Sequence, residues 1–180
     1  MEKFEFEFNK SFVEYKSTLK ETSFDSAKND YLCNDTQVII FDFDNIIKKL
    51  YPDRQPKSFD CILFDNKNIF CIEFKNSYPP DIDNSNVQGK LINSRSVLDD
   101  FCKTNNINKK DYKFIYCVVF KPYSNVSQAN RLYKARISGR TIFFDLEKYK
   151  GIYFDEIITN DTDYFIRNYN YLIVNTKLNC

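Results

Sequence analysis

The stretch 58–76, SFDCILFDNKNIFCIEFKN, constrains the fold more than any other, because two runs of strand-forming residues flank a polar turn. Residues 59–64 and 69–75 are rich in aromatic and β-branched side chains, and Asp65-Asn66-Lys67-Asn68 supplies residues that tolerate turn geometry. A β-hairpin follows. Its register is the same whether the loop is Asn66-Lys67 or all of 65–68: Phe64 faces Ile69, and Asp60 faces Glu73. Directly opposed residues share one face of a sheet, with Cβ atoms about 5 Å apart. Side chains alternate along a strand, so Lys75 joins Glu73 on its face while Ile72 and Phe74 point to the other. The expectation is one core face and one face carrying Asp60, Glu73 and Lys75 together.

Three charges on strands this apolar need partners, since burying an unpaired charge is costly. Two carboxylates about 5 Å apart suit a hard divalent cation such as Mg²⁺ or Mn²⁺, which takes oxygen ligands and keeps waters for chemistry. An adjacent lysine can orient or deprotonate a metal-bound water and offset charge building up on a phosphate. The plainer reading of the same trio is a set of cross-strand ion pairs at the surface, which stabilise weakly.

Asp60, twelve intervening residues and then Glu73-Phe74-Lys75 resemble the D…(D/E)xK signature of the PD-(D/E)xK nuclease superfamily, on the hairpin where that family carries it. The resemblance implies an α/β fold, with a central mixed sheet of four to six strands flanked by helices in a restriction-endonuclease-like core. It also implies metal-dependent hydrolysis of phosphodiester bonds in DNA or RNA. Mg²⁺ or Mn²⁺ would be held by Asp60, Glu73 and the main-chain carbonyl of Phe74, and Lys75 would activate water. In related nucleases the helix after the catalytic strand sends a Lys or Gln to the scissile phosphate, which points to Lys90 and, as the weaker alternative, Gln88. A helix before the hairpin often adds an acid in that family. Glu14 is the best-placed residue, with a solvated helical glutamate as the other reading. The resemblance spans residues 10–145 by topology and only the hairpin by motif. A literal Pro-Asp pair exists at Pro52-Asp53, but Pro56 interrupts the run after it and Asp53 would project from a loop. Asp60 is therefore taken as the ligand, with Ser58-Phe59 in place of the proline before it.

Elsewhere the pattern predicts a short strand over 4–8 and a helix from Asn9 or Ser11 to about Glu21. Residues 25–35 read as a loop. VIIFDF at 38–43 reads as a strand, followed by a helix over 45–50 capped by Asp44, with Asp42 at the sheet rim. Pro79-Pro80 breaks the chain after Lys75, in a loop where substrate would enter. Val87, Leu91, Ser94, Leu98 and Phe101 recur at helical spacing, with Lys90 on the edge of their stripe and a snorkelling side chain as its plainer reading. YKFIYCVVF at 112–120 reads as a buried strand, completing a βαβ unit. Further strands are expected over 141–146 and 154–159, and an aromatic helix over 163–172.

Net charge is +1 over 180 residues, so a nucleic-acid site must come from local charge. The segment 121–140 supplies it with Lys121, Arg131, Lys134, Arg136 and Arg140, no acid, and Tyr123 and Tyr133 interspersed. A solvated basic segment is the alternative. The chain contains no histidine, which excludes Ser-His and Cys-His catalysis, and its six cysteines show no zinc spacing. No signal peptide or membrane-spanning run is visible, so the expectation is a single intracellular domain, 1–180, with reduced thiols and no membrane contact. Nucleic acid is the expected partner, with the chain acting alone, as a homodimer or within a larger complex. The competing reading is a catalytically silent nuclease-like module that binds nucleic acid or protein. A viral cap-snatching type of endonuclease shares the hairpin, though its common form contains a histidine that this chain lacks.

Overall fold

The computed structural model describes residues 1–122 and 142–166. Its strands are β1 (Lys16–Thr18), β2 (Phe24–Asp25), β3 (Asp30–Tyr31), β4 (Ile39–Asp42), β5 (Cys61–Asp65), β6 (Asn68–Lys75), β7 (Lys113–Phe120) and β8 (Glu156–Asp161). Its α-helices are α1 (Lys3–Phe12), α2 (Leu19–Thr22), α3 (Phe43–Leu50) and α4 (Asn84–Thr104). Six strands form one sheet in the order β1-β4-β5-β6-β7-β8, and β2 and β3 form a separate small hairpin. The pairs from β1 to β6 are antiparallel, and the β6–β7 and β7–β8 pairs are parallel. The fold is thus α/β with a mixed six-stranded sheet flanked by helices, as expected. Among the described residues no helix is long and apolar enough to cross a membrane.

The N-terminal segment is a helix from Lys3, where alternation suggests a strand. Phe4, Phe8 and Phe12 are buried at a spacing of four, while Phe6 is 51% exposed. That spacing lays three rings along one helical face, against Phe41, Phe64 and Phe101. The longer helix expected to run to about Glu21 is instead a 3₁₀ turn, β1 and the short α2, which carries a capping box between Thr18 and Glu21.

The cap of α3 also differs from expectation. Asp42, the last residue of β4, is the cap, its carboxylate accepting from the Asn45 N–H at 2.9 Å. Asp44 lies in the first turn, where it accepts from Ser58 Oγ at 2.6 Å and pairs with Lys48 at 2.8 Å. The helix can start at Phe43 because the sheet releases the chain at the Asp42–Cys61 pair. Residues 142–146 do not form the expected strand: Phe144 and Asp145 have φ of 65° and 55°, incompatible with extended pairing. The last strand runs two residues later than expected, and the final helix is described only over 162–166.

Both faces of the central strand are core. Ile69 and Cys71 of β6 pack with Phe8, Ile46, Leu91 and Leu98 beneath the helices, and Phe70, Ile72 and Phe74 pack with Leu19, Ile115 and Phe165 on the other side. The expectation of one apolar and one polar face is corrected accordingly. Glu73 lies on an apolar face that turns polar only at the C-terminal end of the strand. Cys61, Cys71, Cys102 and Cys117 are free and buried, and burial raises each thiol pKa, which keeps them protonated packing groups. Cys33 is disulfide-bonded, so the expectation of uniformly reduced thiols does not hold at that position.

Candidate active site

The β5–β6 hairpin closes through the two residues Asn66-Lys67, with Asp65 paired to Asn68, and Asn66 takes the φ of 53° that the turn requires. Phe64 faces Ile69, the register expected from sequence. The ladder ends at Cys61–Ile72, one step short of the predicted Asp60–Glu73 pair. There Asp60 leaves the strand. Its N–H donates to Ile72 O at 3.0 Å, its carbonyl accepts from the Phe43 N–H at 3.0 Å, and its carboxylate accepts from the Phe74 N–H at 2.6 Å. The side chain thus takes the place of a β5 carbonyl as acceptor for a β6 N–H. The two preceding residues are anchored from the helices: Ser58 Oγ donates to Asp44, and the Phe59 N–H donates to Ser94 Oγ at 3.1 Å. Ser94, the polar member of the α4 stripe, is buried for that reason.

Four charged side chains converge at this strand end. Lys90 Nζ, from the second turn of α4, lies 2.8 and 2.9 Å from the two oxygens of Glu73 and 3.3 Å from Asp60 Oδ1. Lys75 Nζ lies 2.8 Å from Glu73 Oε1 and donates to Asn86 Oδ1 at 3.3 Å. Both carboxylates therefore face the same side. Glu73 is fully buried, while Asp60, Lys75 and Lys90 each keep about a fifth of their side-chain exposure. Two ammonium groups lie 2.8 Å from Glu73 Oε1, so this buried oxygen is ion-paired to both without a regular hydrogen bond. A divalent cation could use this oxygen only in place of one of the two ammonium groups.

Burial and then the neighbouring Glu73 charge push the Asp60 carboxyl pKa up to about 7, against the opposing pull of Lys90, the Phe74 N–H and Lys75. Burial opposes the charge on Lys90, but Asp60 and Glu73 outweigh it and raise its pKa, so it stays an ammonium. Tyr116 closes the site from beneath. It is fully buried, its hydroxyl donates to Val87 O at 3.4 Å, and burial together with the two carboxylates keeps the phenol protonated.

An open cleft of about 420 Å³ leads to these residues, with Asp60, Phe74 and Lys75 on its floor and Phe24, Asp83 and Asn86 on its walls. Asn76, Ser77, Asp81, Ile82 and Asp83 of the loop after β6 line it. Phe24, Asp25 and Ser26 of the β2 end line it as well, and the β2–β3 hairpin is tied to that loop: Lys28 Nζ donates to Asn76 O and, at 2.7 Å, to Ser77 Oγ.

Other sequence candidates fall elsewhere. Glu14 pairs with Lys49 at 2.6 Å on an exposed surface and does not line the cleft, which leaves it the solvated helical-end glutamate of the plainer reading. Gln88 donates to Phe144 O at 2.9 Å and accepts from the Tyr149 hydroxyl, so it holds the 142–149 segment against α4. Asp53 is exposed and does not line the cleft. Lys121 lies 3.8 Å from Asp30 at the end of β7, while Arg131, Lys134, Arg136 and Arg140 lie outside the described residues. Two cleft features were missed from sequence. Asn86 stands one helical turn before Lys90, a signal available in the spacing, whereas the wall formed by residues 22–26 carries no local signal.

Among the described residues no group of three or more His, Cys, Asp or Glu side chains gathers as a metal-binding set, so a cation here would draw on two carboxylates and the main chain. Comparison with protein-family models, with curated proteins and with solved structures finds no match.

Proposed function

We propose that the chain is a Mg²⁺- or Mn²⁺-dependent nuclease that hydrolyses phosphodiester bonds in DNA or RNA. The observation that carries this reading is the convergence of Asp60, Glu73, Lys75 and Lys90 at the end of β6, where Asp60 and Lys75 line an open cleft and the buried Glu73 lies directly behind them. Asp60, Glu73 and the Phe74 carbonyl would hold the ion. When bound, it supplies Lewis-acid polarisation of a phosphoryl oxygen and a more acidic water. Lys75, anchored by Asn86, orients the attacking water and offsets negative charge on the phosphate. Lys90 supplies a second cation for the phosphate. The 121–140 segment would hold the nucleic-acid backbone.

A second reading has its own support. The two lysines already neutralise the two carboxylates, which suits a nuclease-like module that binds without cleaving. Labelled single- and double-stranded DNA and RNA, incubated with Mg²⁺, Mn²⁺ or a chelator, separate the two. Chelator-sensitive cleavage of at least one substrate is expected, and intact substrates throughout would leave the binding module standing.

The pH dependence of metal binding follows from Asp60. Below its raised pKa, about 7, the carboxyl holds a proton that a cation must displace; above it the ligand is free. Mn²⁺ affinity, measured by calorimetry, should therefore rise by up to roughly tenfold per pH unit on approaching that value from below, then level off. An affinity that is flat over this range would remove Asp60 from the ligand set.

A further inference from the structure

Lys90 stands at the point where a shared cation would have to sit. Its Nζ has three carboxylate oxygens within 3.3 Å, two from Glu73 and one from Asp60, and no other side chain contacts both acids in this way among the described residues. Lys75, by contrast, approaches only Glu73 Oε1 and is tethered to Asn86. The four side chains carry two negative and two positive charges, so they cancel. A divalent cation added to that set leaves an excess of two positive charges beside a fully buried glutamate. One ammonium must withdraw, and Lys90 is the one that, among the described residues, no side chain other than the two carboxylates holds, whereas Asn86 holds Lys75. Its four-carbon stem reaches the site from α4, its side chain is 20% exposed, and Asp44 lies near enough for its carboxyl to feel the Lys90 charge.

We propose that Lys90 is a built-in counter-ion which a divalent cation displaces on binding, so that this lysine sets the metal affinity of the site and is freed toward substrate phosphate only once the cation is in place. The inference rests on the reading of Asp60 and Glu73 as metal ligands. It makes Lys90 a positioning residue whose first contact is with the protein's own carboxylates, and it couples metal loading to the availability of a phosphate-binding cation.

The test is Mn²⁺ binding to Lys90→Met, which keeps the length of the side chain and removes its charge. Calorimetry should show Mn²⁺ binding roughly tenfold or more tighter than in the unmodified protein, because the competitor is gone. Without metal the variant should melt at a lower temperature than the unmodified protein, and Mn²⁺ should raise its melting temperature by the larger amount. Should Lys90→Met fail to fold without metal, the proposal requires Mn²⁺ to restore its far-ultraviolet dichroism; failure to restore it counts against the proposal. If the unmodified protein binds Mn²⁺ and Lys90→Met binds it equally or more weakly, the counter-ion role is wrong and the metal site survives. If neither protein binds Mn²⁺, the inference falls together with the metal reading beneath it.

Discussion

Glu73→Gln is expected to lower Mn²⁺-supported cleavage by on the order of 10²- to 10³-fold while the protein still folds. The substitution keeps the volume of a fully buried side chain but removes the charge that both ammonium groups and any cation address. Folding should survive because Lys75 lines the open cleft and stays bonded to Asn86, while Lys90 keeps Asp60 as its partner and about a fifth of its exposure. Lys75→Ala should cost a comparable factor by a different route. It leaves both carboxylates in place, so Mn²⁺ binding should persist while the chemical step slows. Single-turnover rates on the best substrate, alongside Mn²⁺ calorimetry and thermal melts, distinguish the two variants. Undiminished cleavage by both would sink the assignment of the site.

Phe4→Ala should produce the largest loss of stability among single substitutions in α1, about 3–5 kcal/mol. Phe4 is fully buried and its ring centroid lies within 5.8 Å of those of Phe8, Phe64, Phe101, Tyr112 and Phe114, so truncation opens a cavity that five neighbouring rings can fill only in part. Its N–H also donates to the Tyr112 hydroxyl at 3.1 Å, which ties the first turn of the helix to the start of β7. Phe6→Ala, two residues along on the exposed side, should change stability by no more than about 0.5 kcal/mol. Urea unfolding of the two variants measures the difference. In a strand Phe4 and Phe6 would share a face, so similar losses at both positions would argue for the extended reading and against the helix.

The two substitutions probe opposite ends of what the sequence makes legible. Turn residues and a two-residue side-chain period settle the hairpin register, because both act between residues a few positions apart. The pairing of Phe64 with Ile69, and the placing of Lys75 beside Glu73, follow from those local rules. The α4 stripe is legible for the same reason: Val87, Leu91, Ser94 and Leu98 recur at helical spacing and all are buried. At the N-terminus the local rule is ambiguous. Phenylalanines at 4, 6 and 8 satisfy a period of two, yet 4, 8 and 12 also mark one face of a helix, and only packing against Phe41, Phe64 and Phe101 selects between them.

By itself, then, the sequence determined the hairpin register and the side of β6 on which Glu73 and Lys75 project, and the resemblance it carries implied the mixed α/β architecture. The tertiary structure decided three further things. Asp60 leaves the ladder because the Phe43 N–H and the Phe74 N–H both bond to it, and the first of these belongs to the start of α3, which no local pattern brings to the hairpin. Asp42 rather than Asp44 caps α3 because the end of its pairing with Cys61 sets where the chain may turn. Lys90 reaches both carboxylates because α4 packs across the strand end, placing a charge seventeen residues from Glu73 at hydrogen-bonding distance. Local periodicity reports which way a side chain points. How far it is from a partner on another element is set by the packing of whole elements, and the chemistry of this site depends on that distance.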